Sequence, residues 1–338
     1  MLQIDVILIS ILLSLVINFL LTKTNFCLDK KFYIHKSFAT EKLTPISGGM
    51  IFLLLFLYFL PNENILFKIF IIPLFLIGFL SDINYLTSPL KRILLQIVII
   101  FILIFLSKNL ISSVRIPFFD NLLENIYFNY FFTIFCLLVL INGSNFIDGM
   151  NTLFLGYYLM ITIILIFLAK EFQILNDYHE IVLLFSILSI LFIFNFFGQL
   201  FSGDGGAYII SFMIGFLMIQ IANVSERISP YFIAILLWYP AYECLFSILR
   251  KKMSDKFTTK ADNKHLHHLI FLFFKKKTKL KTQYANLLSG LSINFFNFVI
   301  FFNAYNNFSQ TKNLILLIFI CLIFYTITYF FLLKRLPN

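Results

Sequence analysis

The sequence predicts an all-α polytopic integral membrane protein, with a single transmembrane domain formed by residues 1–338. Only 12% of the residues are charged, 60% are hydrophobic, and the mean hydropathy is +0.93, which excludes a soluble domain. The apolar stretches are continuous, whereas the strands of a membrane β-barrel alternate apolar and polar residues. Since a transmembrane helix needs about 20 mostly apolar residues, we expect about 10–11 transmembrane helices, N-terminus outside and C-terminus cytoplasmic. The apolar runs are roughly 4–22, 47–61, 65–80, 90–106, 128–142, 152–169, 181–197, 207–223, 230–249, 285–303 and 313–333.

The first run could be taken for a signal peptide, but the sequence favours a retained anchor. No basic segment precedes it, no small-residue cleavage site follows it, and Lys23 comes directly after it. The second, third and fifth runs are short, and any of them could instead be re-entrant.

The four cysteines are far apart, and their spacing predicts neither a disulfide framework nor a metal site.

The distribution of lysine and arginine predicts which side of the membrane each loop faces. Short cytoplasmic loops are enriched in these residues, and 20 of the 26 fall on one side when the runs are taken as successive spans. A simpler interpretation is that this bias reflects topology alone. The predicted cytoplasmic loops are about 23–46, 81–90, 143–151, 198–206 and 250–284.

Three aspartates lie at the ends of apolar runs, where acids are costly and usually mark ion, proton or substrate chemistry. Asp82, Asp148 and Asp204 follow the third, fifth and seventh runs, so parity predicts the cytoplasmic face for all three. The segments 44–49 and 264–268 fall on the same face. One pocket at the inner membrane surface could therefore gather the polar segments of the chain.

Asp204 belongs to Gly203-Asp204-Gly205-Gly206, which predicts a tight loop that opens a helix. Glycines let a backbone approach phosphates, and helix N-termini bind anions. An aspartate there can hold Mg²⁺, which prefers one or two carboxylates plus phosphate oxygens. The alternative is a simple loop in which Asp204 is the N-cap.

Asn142, Asn145, Asp148 and Asn151 recur every three residues and predict a polar stripe on a helix. Amides and a carboxylate can recognise a nucleobase edge or a ribose through directed hydrogen bonds. The alternative is a polar helix end at the level of the lipid headgroups.

Asp82 precedes Ser88-Pro89-Leu90-Lys91-Arg92. Its carboxylate could position or deprotonate an acidic acceptor, or bind a metal, and Lys91 and Arg92 could meet phosphate charge. For the basic pair the favoured interpretation is an anchor for the fourth span at the membrane surface.

Three histidines follow the ninth run, at His265, His267 and His268. No cysteine is near and the spacing is not typical of zinc, so imidazoles that donate to a pyrophosphate fit better. The alternative is a solvated basic loop. Glu243, late in the ninth run, predicts structural support through Arg250 or the interface, and residues 269–281 could form a basic amphipathic helix on anionic lipid.

Taken in order, four motifs resemble those of the polyprenyl-phosphate N-acetylhexosamine-1-phosphate transferase family. Thr44-Pro45-x-x-Gly48-Gly49 is similar to its Thr-Pro-x-x-Gly-Gly loop, and Asn142-x-x-Asn145-x-x-Asp148-Gly149 to its Asn-x-x-Asn-x-x-Asp-Gly signature. Gly203-Asp204-Gly205 is similar to its Gly-Asp loop, and His265-x-His267-His268 to its histidine motif. The resemblance extends from about Thr44 to His268.

The resemblance implies a bacterial inner-membrane enzyme that uses Mg²⁺, or Mn²⁺ in its place. It would transfer a sugar-1-phosphate from a UDP-sugar to undecaprenyl phosphate and release UMP, in cell-surface polysaccharide or cell-wall glycan synthesis. Asp204 would be the metal ligand, Asp148 and Asn145 would line the nucleotide site, Asp82 would serve the lipid phosphate, and the histidines the diphosphate. Membrane lipids are expected partners, nucleic acid is not, and an oligomer stays open. The candidate catalytic residues are Asp82, Asp148, Asp204, His265, His267 and His268, and the candidate substrate-binding residues are Thr44, Lys91, Asn142, Asn145, Asn151, Asn195 and Gly205.

Two positions depart from the family pattern. Ser81 stands where many members have a second acid beside Asp82, and Asn151 stands where many have an aspartate. The first departure weakens any mechanism that needs two adjacent carboxylates. A catalytically weakened family member therefore stays as an alternative. A second alternative is a secondary transporter with an acid-lined pathway, although transporters often show internal repeats and none is visible here.

Overall fold

A computed structural model describes residues 2–28, 44–60, 65–173, 175–253, 264–278 and 280–336. These residues form fourteen helices, and the β-structure described is an isolated bridge between Leu28 and Pro45. The helices are α1 Leu2–Thr24, α2 Gly48–Phe59, α3 Ile65–Asp82, α4 Pro89–Ser107, α5 Pro117–Leu123, α6 Ile126–Ile147, α7 Leu153–Glu171, α8 Leu175–Phe196, α9 Gly203–Val224, α10 Pro230–Leu236, α11 Trp238–Met253, α12 Leu266–Thr278, α13 Thr282–Asn306 and α14 Thr311–Arg335.

The prediction of an all-α polytopic membrane protein is confirmed. Each of the eleven apolar runs overlaps a helix or, for the ninth run, the pair α10 and α11. Within the described residues, eight helices are long and apolar enough to cross a membrane, and a ninth span results if α10 and α11, bent by 72°, are counted as one. The helices α2 and α3, of 12 and 18 residues, account for the remaining predicted spans.

Two of the predicted loops extend beyond the described residues. Positions 29–43 of the first loop and positions 254–263 of the last loop lie outside the part of the chain that the structure describes. The predicted orientation, with the N-terminus outside, stays a prediction. Of the predicted basic amphipathic helix at 269–281, residues 269–278 belong to α12, whereas Leu280 and Lys281 follow its end. Its contact with anionic lipid stays a prediction.

Helix α9 is the centre of the bundle. In its most apolar stretch 78% of the residues are buried inside the protein, compared with 22% for α4. A helix that is apolar all round is a core helix, and α9 packs against α2, α3 and α6. The lipid-facing positions are therefore supplied by outer helices such as α1, α4 and α14, whose exposed residues are large and apolar.

Glycines allow α2 and α3 to approach α9 at backbone contact. A Cβ on Gly49 would lie 2.4 Å from the backbone nitrogen of Gly206, and a Cβ on Gly78 would lie 2.3 Å from that of Gly205. Small residues at such crossings let membrane helices pack closely. Gly205 and Gly206 therefore let the helices pack closely. The sequence pattern suggests a different role for them, the approach of a phosphate to the backbone.

Replacing Gly78 with alanine is expected to destabilise the protein by about 1–3 kcal/mol, the usual cost of overpacking. The added methyl meets backbone atoms of α9 that have no rotamer to escape into. The matched control is Gly215→Ala, whose Cβ would meet only the terminal methyls of Leu137 and Leu140, at 3.0 and 2.7 Å. Thermal unfolding of both variants in detergent measures the difference, and equal midpoints would contradict the close packing of α3 on α9.

Candidate active site

The segments 44–49 and 198–206 form one hydrogen-bonded unit in front of α9. The Phe201 N–H donates to the Pro45 carbonyl at 3.0 Å, and the Gly48 N–H donates back to the Phe201 carbonyl at 2.9 Å. The Thr44 hydroxyl donates to the Gly198 carbonyl at 3.3 Å, and Thr44 is 2% exposed. Thr44 thus holds these two segments together, and its predicted contact with substrate stays a prediction.

Asp82, the last residue of α3, caps the N-terminus of α9. Its Oδ1 accepts the Asp204 N–H at 3.0 Å, and its Oδ2 accepts the Gly205 N–H at 3.3 Å. A carboxylate at a helix N-terminus satisfies N–H groups that the helix itself leaves unpaired and interacts favourably with the helix dipole. Gly203 precedes these residues with φ +73°, and a Cβ on it would lie 2.6 Å from Asp82 Oδ2. The anion at this helix terminus is therefore supplied by the protein, and Gly205 has no N–H left for a phosphate.

Asp204 points its carboxylate at Arg92 and Ser81. Arg92 Nη1 donates to Asp204 Oδ2 at 2.8 Å and to Ser81 Oγ at 2.6 Å. The Ser81 hydroxyl donates to the same Oδ2 at 2.7 Å. Both partners of the ion pair keep some exposure, 19% for Arg92 and 18% for Asp204. We call Ser81, Asp82, Arg92 and Asp204 the aspartate cluster.

Ser81 thus stands beside Asp204 as a hydrogen-bond donor, at the position where many family members have an acid. A second carboxylate would repel Asp204 at this distance, whereas a hydroxyl donates to it. The departure at Ser81 therefore exchanges a charge for a neutral hydrogen bond within the cluster.

The basic residue in the cluster is Arg92, while Lys91 is exposed. The buried residues of α4 are Gln96, Ile100, Leu103 and Ile104, and Arg92 precedes Gln96 by four residues, on the same helix face. Lys91 is one residue away and therefore lies on a different face of α4. Its backbone N–H donates to the side chain of Ser88, which is the N-cap of the helix. Lys91, the predicted phosphate contact, therefore points away from the cluster, and of these two neighbours it is Arg92 that reaches Asp204.

Helix α4 also connects the aspartate cluster to α6. Asn142 Nδ2 donates to Gln96 Oε1 at 3.0 Å and to the Leu138 carbonyl at 2.9 Å. Asn145 lies one turn after Asn142, Asp148 is the C-cap of α6, and both are half-buried. The predicted polar stripe is therefore helical only as far as Asn145, because α6 ends at Ile147, and Asn151 lies in the following turn and is fully buried.

The end of α6 packs against the histidines of α12. A Cβ on Gly149 would lie 3.1 Å from His267 Nε2 and 3.3 Å from His268 Nε2. The Phe146 and His265 rings are 5.1 Å apart between centroids. Two motifs separated by more than 100 residues in the chain are thus in contact, with Asp148 between Phe146 and Gly149 in the sequence.

The three histidine rings form a compact group. The centroids of His267 and His268 are 4.2 Å apart, and those of His265 and His267 are 5.6 Å apart in a stacked arrangement. All three residues are buried, with exposures of 7%, 0% and 3% in chain order. The alternative of a solvated basic loop is therefore wrong for these residues.

Glu243 binds His265 rather than Arg250. His265 Nδ1 lies 2.8 Å from Glu243 Oε1, and the Tyr325 hydroxyl donates to Glu243 Oε2 at 2.7 Å. Arg250 instead donates to the hydroxyls of Tyr329 and Ser247. The alternative of an Arg250 pairing was wrong, because Arg250 lies seven residues, about 10 Å, further along α11 than Glu243. We call Glu243, His265, His267 and His268 the histidine cluster.

A layer of buried asparagines fixes the turn between α6 and α7. Asn195 Oδ1 accepts the Thr152 N–H at 2.6 Å, and its Nδ2 donates to the Leu200 carbonyl at 2.9 Å. Thr152 has φ +69°, a conformation that needs such support. Both polar ends of Asn195 are therefore committed to backbone, which gives it a structural role in place of the expected substrate contact.

Asn151 differs from Asn195 in its side chain. Its backbone N–H donates to Asn286 Oδ1 at 2.8 Å. The side chain is fully buried, and neither of its polar atoms has a hydrogen-bond partner among the described residues. Since buried polar atoms are nearly always satisfied, this amide is available to a ligand or a water molecule.

The donor set fits a magnesium ion held by one carboxylate and by substrate. The described part of the chain contains no group of three or more His, Cys, Asp or Glu residues arranged to hold a metal. The hydrogen bonds described for the Asp204 side chain end at Oδ2, which leaves Oδ1 for a cation. Mg²⁺ accepts this kind of site, because phosphate oxygens and water complete its coordination.

The structure therefore brings Asp82 and Asp204 together in one cluster and the three histidines together in another, and the bond between Asn142 and Gln96 connects α6 with α4. The other candidate side chains are in neither cluster: Thr44, Lys91, Asn142, Asn145, Asp148, Asn151 and Asn195. Sequence reasoning missed Gln96 and Tyr325, and it left Arg92 and Glu243 as structural residues. The helical phase of α4 was the available signal for Arg92 and Gln96. No sequence signal pairs Tyr325 with Glu243, since they lie 82 residues apart.

The chain is similar in sequence to known proteins. Residues 64–222 match the model of the glycosyl transferase family 4. The chain is 26% identical over 238 residues, 70% of each chain, to the undecaprenyl-phosphate alpha-N-acetylglucosaminyl 1-phosphate transferase of Thermotoga maritima. The region matched by the family model contains the aspartate cluster and the residues Asn142 to Asn151, and the histidines follow it in the sequence. The family model covers just under half of the chain, and together with the helical membrane fold and the ordered motifs it supports the resemblance to glycosyl transferase family 4.

Proposed function

We propose that this protein transfers a sugar-1-phosphate from a UDP-sugar to undecaprenyl phosphate and releases UMP. The observation that carries the proposal is the contact between the end of α6 and the buried histidines, Gly149 against His267 and His268. It brings the motif expected for the nucleotide beside the motif expected for the diphosphate. The family match and the name of the Thermotoga relative support the same reaction.

In the proposed reaction, an oxygen of the lipid phosphate attacks the phosphorus that bears the sugar. The bond from this phosphorus to the bridging oxygen of the diphosphate breaks, and UMP leaves with that oxygen. Phosphoryl transfer of this kind depends mainly on positioning and on neutralisation of charge. A phosphate with a second pKa of about 6 is largely ionised at neutral pH, so a strong general base is unnecessary.

The aspartate cluster would supply charge control. Arg92 offers a fixed guanidinium beside Asp204, and Asp82 keeps the first turn of α9 in place through its two backbone contacts. A magnesium ion on Asp204 would neutralise phosphate charge and stabilise the leaving group. With both oxygens on α9, Asp82 acts first as a positioner, and its expected service to the lipid phosphate would be indirect.

Recognition of the nucleotide would fall to α6 and the turn that follows it. Asn145 and Asp148 are half-buried, and the Asn151 amide has no partner among the described residues. Amides and a carboxylate offer both donors and acceptors to a base edge and a ribose. The histidines would donate to the diphosphate in their charged form, in which both ring nitrogens are donors.

The cellular setting follows from the same proposal. A polytopic chain with a bacterial relative fits the inner membrane, and the loop charges favour a cytoplasmic site. The donor sugar would be an N-acetylhexosamine, in line with the name of that relative. The product would be the first lipid-linked sugar of a surface polysaccharide or a cell-wall glycan.

Purified protein incubated with Mg²⁺, undecaprenyl phosphate and a panel of UDP-sugars tests the function. We expect UMP to appear with at least one donor and only when the lipid is present. A lipid-linked sugar diphosphate should form in equal amount, and mass spectrometry identifies it. Failure of every donor, together with ion or sugar uptake by vesicles that contain the protein, would favour the transporter alternative.

Replacing Asp204 with asparagine is expected to lower the rate of UMP release by at least about 100-fold, as when an electrostatic partner of a transition state is removed. The amide keeps the shape but loses the charge that would hold the cation. Asp120→Asn is the matched control, because Asp120 binds Ser113 and the Val114 N–H outside both clusters. Near-normal turnover of Asp204→Asn at saturating Mg²⁺ would remove Asp204 from the metal site.

Arg92→Ala and Lys91→Ala separate the two basic neighbours. Arg92→Ala is expected to reduce kcat/KM at least about 10-fold, because the charge of Asp204 loses its partner. Lys91→Ala is expected to change it by less than about threefold, since exposed charges contribute little. The reverse order would restore Lys91 as the phosphate contact that the sequence analysis expected.

A further inference from the structure

A buried chain of hydrogen bonds connects α14 and α11 with His265, the residue that directly precedes α12. Tyr325 of α14 donates to Glu243 of α11, and Glu243 binds His265, next to the start of α12. Glu243 is 1% exposed and Tyr325 is fully buried. None of the motifs that resemble the family includes Glu243 or Tyr325.

The burial of Glu243 has a physical consequence for His265. A carboxylate taken out of water is costly unless each oxygen is hydrogen-bonded. Here Oε2 accepts from Tyr325 at 2.7 Å, and Oε1 lies 2.8 Å from His265 Nδ1. When Glu243 is ionised its oxygens only accept hydrogen bonds, and the Nδ1 of His265 then carries the proton that joins the two groups.

The ring of His265 is held on its faces as well. It is stacked on His267 with an angle of 9° between the rings, and Phe146 contacts it at a centroid distance of 5.1 Å. With Nδ1 fixed on Glu243, Nε2 is the ring nitrogen directed away from the carboxylate. Orientation and tautomer are therefore set by groups that lie on other helices.

We propose that Glu243 and Tyr325 are positioning residues that hold the Nδ1–H of His265 on Glu243, so that in the charged ring the Nε2–H can donate to the phosphate groups of the substrate. The inference rests on the proposed function and names the origin of the geometry at the histidine cluster. Second partners that orient a functional histidine in this way typically change activity by about 10–100-fold when they are removed.

Kinetics of three variants form the first arm of the test. Glu243→Leu is expected to lower kcat about 10–100-fold while the KM for the UDP-sugar changes much less, because His265 loses its orientation and not its presence. Glu243→Gln, which keeps an acceptor without the charge, should fall between Leu and wild type. Tyr325→Phe is the milder second variant, with a loss of about 3–10-fold, and it keeps the test valid if Glu243→Leu does not fold.

Tyr242→Phe is the matched control. Its ring packs edge-on against Tyr325 at 4.9 Å, but its hydroxyl bonds to Thr326. It loses the same atom from the same aromatic environment and should keep wild-type kinetics. A purely structural role for Glu243 would instead lower the thermal midpoint and leave kcat of the folded fraction unchanged, which would overturn the proposal.

The second arm does not depend on transferase activity. Protein labelled with ¹⁵N-histidine in lipid nanodiscs reports the protonation of each ring nitrogen, and His265 is assigned by the resonance lost in His265→Asn. We expect the Nδ1 signal of His265 to move in Glu243→Leu and Tyr325→Phe and to stay in Tyr242→Phe. An unchanged signal in Glu243→Leu overturns the positioning role, whereas absent UMP release from the wild type with a shifted signal overturns only the proposed function.

Discussion

The N-terminus of α9 imposes the constraint on which the rest of the structure depends. The most buried helix of the described chain begins between two carboxylates, and each needs a partner at low exposure. Asp82 takes the backbone N–H groups of Asp204 and Gly205, and Asp204 takes Arg92 and Ser81. These contacts require α3 and α4 to meet the first turn of α9, and glycines at the crossings permit it.

A second buried carboxylate organises the other side of the site. Glu243 fixes His265 in the same way that Arg92 fixes Asp204, by one short contact between helices distant in sequence. The bond from Gln96 to Asn142 runs between the two clusters, from the helix that carries Arg92 to the helix that ends at Asp148. In both clusters a candidate site residue is held in place by a neighbour that lies outside the predicted set of site residues.

Sequence alone was sufficient for the helices and for the motifs, because apolar length and local polar spacing determine both. It was insufficient for the partners, since Arg92 and Asp204 are 112 residues apart and periodicity does not encode such a pair. Lys91 and Arg92 are adjacent in the chain, and only the phase of α4 relative to Gln96 distinguishes them. Asn195 and Gly205 were expected to touch substrate, but their polar groups are bound to the protein's own backbone and carboxylate.

The glycine contacts of α9 restrict how this site can diverge. The backbones are in direct contact between Gly78 and Gly205 and between Gly49 and Gly206. No side chain lies between them whose size a substitution could change gradually. Evolution can therefore hardly shift Asp204 relative to Asp82 by small steps, and the phosphate chemistry should be the conservative part of the enzyme. In the proposed reaction, a change of donor sugar would more readily arise around Gly149, where the neighbours are the side chains of His267 and His268.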